Sequence, residues 1–200
     1  MPQIHFETLG CKVNQIESEG SAKAFLDQGF TVDIKNWTAK EKIHTQTLLV
    51  IINTCTVTAK AEQKARRIIR LMLDLCPNSC ILVTGCYAQV DKDEIKKMHE
   101  RIVVLPGTQK DLLSVLPTYL KNSLNAKIDI VQFIKNFLSQ KLPQFPKNSI
   151  FALSTDTFLQ HSRSSIKIQD GCNNSCTFCR IHIARGPSVS LEPHKGLEQV

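Results

Sequence analysis

Short apolar runs alternate along the first part of this chain with longer stretches in which apolar residues recur every three or four positions. The first pattern predicts strands and the second amphipathic helices. IHFETL at 4–9 reads as a strand, and residues 14–28 read as a helix with Ile16, Ala22, Ala24, Phe25 and Leu26 turned to the core. Gly29 ends that helix, and FTVDI at 30–34 is a second short strand. Residues 36–46 are polar and predict a loop or a short helix. TLLVIIN at 47–53 and CILVTG at 80–85 are continuous apolar runs, the pattern of central strands covered on both faces. Between them, residues 57–75 carry Ala61, Ala65, Ile68, Ile69, Met72 and Leu73 at helical spacing, with Pro77 past the end. A short polar helix over 91–99, the strand RIVVL at 101–105 and a helix at about 108–121, interruptible at Pro117, complete the series.

This alternation predicts an α/β domain over residues 1–125, a Rossmann-like, mainly parallel sheet. Residues 126–160 change character: Asn, Lys and Ser rise, and Pro143 and Pro146 break the pattern. They read as a connecting segment with one helix around 128–140. A strand, SSIKIQ at 164–169, leads directly into GCNNSCTFC, so residues 161–200 read as the incomplete start of a second domain.

Composition adds little to the fold and more to the setting. Of 200 residues, 42% are hydrophobic and 22% charged, an ordinary globular balance. The formal charge of +7 suits a polyanionic partner such as RNA, or simply a basic soluble protein. No run reaches the ~18 apolar residues of a membrane span, and the N-terminus lacks a secretory signal pattern. A cytoplasmic setting without a membrane partner follows as the expectation. Thiols stay reduced there, so the eight cysteines are expected to be metal ligands or catalytic groups rather than disulfides.

Cys172, Cys176 and Cys179 place three thiols in one eight-residue loop. Three thiolates so close can hold three corners of a cubane cluster and leave its fourth iron open. A zinc site completed by His182 or His194 is the alternative. Cys11, Cys55 and Cys86 are far apart in sequence, yet each lies just beyond the carboxyl end of a predicted strand. In a parallel sheet those ends share the ligand-binding edge. Gly10 and Gly85 would permit tight turns that aim two of the thiols inward. Three ordinary core cysteines would fit the same positions. Cys76 and Cys80 read as core or surface thiols, although with Cys86 they form a rival local set.

CNNSCTFC resembles the CxxxCxxC loop of radical-SAM enzymes, which follows the first strand of their (β/α) barrel. TLGCKVNQIESE, NTCTVT and TGCYAQ resemble the N-terminal domain of methylthiotransferases, a family that joins such a domain to a radical-SAM barrel. The resemblance covers nearly the whole chain. It implies two 4Fe-4S clusters, one on Cys11, Cys55 and Cys86 and the other on Cys172, Cys176 and Cys179, with S-adenosylmethionine as the second cofactor. It implies transfer of a methylthio group to adenosine in tRNA by radical chemistry, with an electron donor protein as a further partner. KVNQIESE and KIQDGCNN look most like the branch acting on N6-threonylcarbamoyladenosine beside the anticodon. The isopentenyladenosine branch and a branch acting on a ribosomal protein are the rivals, and a non-catalytic metal- or RNA-binding module is the alternative of another class.

By the same resemblance Phe178 packs near the adenine of the cofactor, with plain core packing as the alternative, and Arg185 of the RG pair is a cofactor-binding residue. Val189 stands in the stretch where the family has another arginine. Asn14 and Gln15 are candidates to position substrate or cluster sulfur, with helix capping as the alternative. Lys60, Lys64, Arg66, Arg67 and Arg70 form a basic helix face that meets either RNA phosphates or solvent. Most of the barrel is missing from these residues, so the chain is expected to be a fragment, inactive alone.

Overall fold

The computed structural model describes residues 2–124, 128–140, 151–153, 159 and 165–199. Five strands form one parallel sheet: β1 (Gln3–Thr8), β2 (Thr31–Asp33), β3 (Thr47–Thr54), β4 (Cys80–Gly85) and β5 (Ile102–Val104). Their order is β2-β1-β3-β4-β5, so the chain steps outward from β1 to β2, crosses back to β3 and continues in the other direction. This is a doubly wound α/β sheet with its topological switch between β1 and β3.

The apolar runs become central strands because both faces are covered. Leu49, Ile51 and Leu82 belong to one core layer, while Val50, Ile52, Ile81 and Val83 belong to the other. The first layer is roofed by α1 (Lys12–Asp27), a 3-10 helix (Gly107–Ser114), α5 (Leu116–Ser123) and α6 (Ile130–Ser139). The second is roofed by α2 (Ala59–Leu75), α3 (Cys86–Val90) and α4 (Lys92–Lys96). In α2, Ala65, Ile68, Ile69, Met72 and Leu73 are buried as their spacing predicts, and the Thr58 hydroxyl caps the first turn by accepting from the Ala61 N–H at 3.1 Å.

Four local expectations change. α1 begins at Lys12, Leu26 is 39% exposed and Ala24 only half-buried, because Asn14, Glu17, Ser18, Glu19 and Ser21 take the inward positions instead. The helix expected at 108–121 is two: the 3-10 turn runs to Ser114, and Pro117 sits in the first turn of α5, where its missing N–H is not needed. The loop at 36–46 buries Trp37, whose ring stacks between those of His5 at 3.6 Å and His44 at 3.9 Å. The strand expected at 164–169 reduces to β6 (Gln169–Asp170), paired antiparallel with β7 (Val189–Ser190); Ile168 is 66% exposed and Lys167 is taken up by the buried Glu17 and the half-buried Asp170.

The helix expected near 128–140 is present as α6, and Ile130, Ile134 and Phe137 join the same core layer as β1, β3 and β4. Pro143, Pro146 and Ser164 lie outside the described residues. Beyond β6 come α7 (Ile181–Arg185), β7 and α8 (Pro193–Leu197). Among the described residues no helix is long and apolar enough to cross a membrane.

Candidate metal centre

Three connections leave the carboxyl edge of the sheet, each with a cysteine at or near its start: Cys11, Cys55 and Cys86. Cys11 follows β1 and precedes α1 with extended backbone. Cys55 follows β3, and Cys86 opens α3 with no intervening loop. Thr54 pairs with Gly85 across β3 and β4, so Cys55 and Cys86 each directly follow one member of the last pair of the two strands. Gly10 has φ +109°, and a Cβ there would stand 2.7 Å from the Cβ of Cys55 and 3.1 Å from its Sγ. The turn that carries Cys11 is therefore packed directly on Cys55. Gly85 has φ +95°, and a Cβ there would meet the Thr54 carbonyl oxygen at 2.3 Å. Both positions demand glycine twice over, for backbone angle and for space.

Asn14, fully buried, holds this edge together. Its Nδ2 donates to the Leu9 carbonyl at 2.7 Å and the Thr54 carbonyl at 3.1 Å, tying the end of β1 to the end of β3. Its own carbonyl accepts from Asn53 Nδ2 at 3.0 Å. Asn14 thus braces the cysteine loops and caps no helix end. Gln15 is half-buried, and its Oε1 has no hydrogen-bond partner among the described residues.

The second cysteine set sits on the surface of the C-terminal part. Cys172 and Cys179 are half-buried and Cys176 is exposed. The Cys172 N–H donates to the Gly186 carbonyl at 3.0 Å, and the Cys179 N–H to the Cys176 carbonyl at 3.0 Å, so the loop is a turn closed on the end of α7. Phe178 is 88% exposed, which rules out core packing for it. All eight thiols are free. Among the described residues no three His, Cys, Asp or Glu side chains converge closely enough to hold a metal ion, and His194 instead stands 3.5 Å from Glu192. The donor chemistry of both sets nevertheless fits an iron–sulfur group, since each offers three free thiols, the soft ligands such a group takes.

Cys76 and Cys80 separate cleanly from these sets. Both are fully buried, and Cys80 opens β4 whereas Cys86 follows its other end. Six residues at about 3.3 Å each put roughly 20 Å between them. Burial pushes the Cys80 thiol up to about 12 and raises that of Cys76 as well. They are neutral core groups, and the rival local set with Cys86 is excluded.

The two cysteine regions meet through arginines of the segment that follows the second loop. Arg180 donates to Glu62 at 2.5 Å and to the Thr56 hydroxyl at 3.3 Å, beside Cys55. Arg185, expected as a cofactor contact, donates to Asn14 Oδ1 at 2.7 Å and Asp170 at 2.8 Å, and lies 3.3 Å from Glu17. Burial pushes the nearby Cys86 thiol up, while the positive charges of Arg185 and Lys110 pull the other way. Glu17, on the inner face of α1, pairs with Lys110 at 2.5 Å and Lys167 at 2.8 Å. Burial alone would raise this carboxyl, yet Lys110, Lys167 and Arg185 hold it down at about 2. Asp170 is lowered in the same way, against its own burial, by Arg185 and Lys167. A cavity of about 130 Å³ lies over this network, with Cys86, Lys110, Asp170 and Arg185 in its wall. Sequence reading missed Glu17, Lys110, Lys167 and Arg180; the available signal was the polar stripe Asn14, Glu17, Ser18 and Ser21, which follows helical spacing on a helix otherwise assigned an apolar face.

Residues 3–107 match the profile of the Uncharacterized protein family UPF0004, a span that takes in Cys11, Cys55 and Cys86. The chain belongs to the UPF0004 family. Similarity extends past residues 3–107 to nearly the whole of this chain, which aligns with part of several methylthiotransferases. The threonylcarbamoyladenosine tRNA methylthiotransferase MtaB of Treponema pallidum (strain Nichols) is 39% identical over 246 aligned residues, covering 100% of this chain and 50% of that protein. MtaB of Bacillus subtilis (strain 168) is 33% identical, covering 100% of the chain and 40% of the protein. The tRNA-2-methylthio-N(6)-dimethylallyladenosine synthase of Bifidobacterium adolescentis is 30% identical, covering 98% of the chain and 38% of the protein. This UPF0004 chain therefore spans about half the length, or less, of the curated relatives it matches.

Proposed function

We propose that this chain takes part in methylthiolation of N6-threonylcarbamoyladenosine in tRNA by radical S-adenosylmethionine chemistry, in the cytoplasm and with an external electron donor. The observation that carries the reading is the sheet edge, where Gly10 is pressed on Cys55 and Cys86 directly follows the end of the neighbouring strand. Cys11, Cys55 and Cys86 would hold one 4Fe-4S cluster and Cys172, Cys176 and Cys179 the other. Bound clusters supply one-electron chemistry and an open iron for sulfur or for S-adenosylmethionine. The chain's own side chains hold the two regions together: Asn14 braces the first loops, and Arg180 and Arg185 fasten the second loop to them. Phe178, exposed beside Cys179, offers a ring face to an adenine. The threonylcarbamoyl substrate is preferred over dimethylallyladenosine because the MtaB of Treponema pallidum is 39% identical, against 30% for the Bifidobacterium synthase.

Anaerobic reconstitution tests the cluster assignment. About eight iron and eight sulfide per chain are expected for two cubanes. Cys55→Ser and Cys176→Ser should each halve that content, whereas Cys80→Ser should leave it unchanged. One zinc and no sulfide would sink the assignment. For the substrate, mass spectrometry of tRNA nucleosides from cells lacking the gene should show loss of 2-methylthio-N6-threonylcarbamoyladenosine; loss of the dimethylallyl product instead would move the assignment to the rival nucleoside.

A further inference from the structure

The basic residues of α2 divide into two groups with different fates. Arg66 is occupied: it donates to the Tyr87 hydroxyl at 2.9 Å and pairs with Glu94 at 3.4 Å. Lys60, Lys64, Arg67 and Arg70 are exposed and make no ion pair or hydrogen bond among the described residues. At 100° per residue these four fall within an arc of about 120°, opposite the buried positions Ala65, Ile69 and Met72. Gln63 lies in the same arc and is uncharged. Glu62, the acidic residue of the first turn, points elsewhere and is held by Arg180 and the Thr56 hydroxyl. The stripe is therefore uncompensated along a groove lined by Thr58, Lys60, Lys64, Arg67 and Arg70.

Its position matters as much as its charge. α2 starts four residues after Cys55, and its first turn is joined to Arg180, the residue after Cys179. Lys60 stands at the end of the helix nearest both cysteine regions. Ten residues at 1.5 Å carry the stripe about 15 Å away from them. A nucleotide presented to that edge brings its flanking phosphates with it, and a linear row of four cations matches a row of phosphates better than a compact anion.

We propose that this face of α2 is a tRNA backbone track, on which Lys60, Lys64, Arg67 and Arg70 take the phosphates next to the modified nucleotide. The inference rests on the tRNA reading above and adds the surface that reading lacks. Phosphate contacts of this kind fix register without reading sequence.

The test is the salt dependence of binding between this chain and an unmodified tRNA transcript, measured by fluorescence anisotropy from about 50 to 200 mM salt. Each lost phosphate contact lowers the slope of log K against log salt by about 0.7–0.9. The variant K60Q/K64Q/R67Q/R70Q should lower it by roughly 2–4, and each single substitution by less than about 1. Glutamine is a good helix former, so circular dichroism should show α2 intact. The variant K35Q/K40Q/K42Q/K97Q removes equal charge from exposed positions elsewhere and should leave the slope within about 0.5 of the starting value. No binding by the unsubstituted chain, equal losses in both variants, or an unchanged slope in the first would each overturn the track. An unchanged slope together with methylthiolated tRNA in cells fails the track alone; a lowered slope with no methylthiolation defect in cells lacking the gene fails the enzymatic reading alone.

Discussion

Gly85 and Glu17 show how single residues set this sheet edge. Gly85→Ala must place a methyl group 2.3 Å from the Thr54 carbonyl oxygen while keeping φ near +95°. Neither is tolerated without moving β3 against β4, so the substitution should cost about 2–4 kcal/mol, read as a lowered urea midpoint. Glu17→Gln leaves Lys110, Lys167 and Arg185 short of one buried negative charge, and a loss of about 3–5 kcal/mol is expected at neutral pH. The pH dependence has a fixed sign. The folded carboxyl titrates at about 2 instead of its ordinary 4.5, so its stabilisation is complete above 4.5 and is lost as pH falls toward 2. Asp170 is shifted the same way and adds to the same acid limb. Equilibrium unfolding followed between pH 6 and pH 2 should therefore fall more steeply for the unsubstituted chain than for Glu17→Gln. Equal slopes would show that Glu17 carries no linked proton.

At the level of elements, α6 is the informative case. Its composition and its place after a change in residue usage mark it as part of a connector, but Ile134 and Phe137 are buried in the layer that also holds Phe6, Leu49 and Leu82. Phe137→Ala should cost about 3–5 kcal/mol and lower the thermal midpoint of the sheet domain, not of a separate segment. Strands β3 and β4 and helix α2 were readable from the sequence because uninterrupted apolar runs and a clean helical stripe each have one structural solution. α1 was read at nearly the right place and on partly the wrong face. Its inner positions are polar, and what satisfies them, Lys110, Lys167 and Arg185, lies 93 to 168 residues away in sequence. Periodicity reports which residues share a face; it holds no information on a partner so distant. The same limit hid the joint between Arg180 and Glu62, whereas the alignment of Cys11, Cys55 and Cys86 was legible because strand ends in a parallel sheet share an edge wherever they fall in the chain.

For the molecule as a whole, the two cysteine regions are joined by charge more than by apolar contact. Ile168, Phe178, Ile183 and Leu197 are exposed on the C-terminal part, while its firm attachments are Arg180 to Glu62, Lys167 to Glu17, and Arg185 to Glu17 and Asn14. Substituting Arg185→Ala should therefore loosen both ends of the joint at once, raising hydrogen exchange in α7 and at the Asn14 amide together. A change confined to α7 would argue against a single unit. The buried face of α1 also has a consequence in time. A ribosome delivers Glu17 long before Lys167 and Arg185, so the newborn sheet spends many seconds with a carboxylate facing a lysine and nothing else. Until the later cations arrive, Glu17 lacks two of the three cations that hold it in the finished fold. Arg185 follows Glu17 by 168 residues, so this corner of the sheet edge is completed long after the helix that carries its carboxylate.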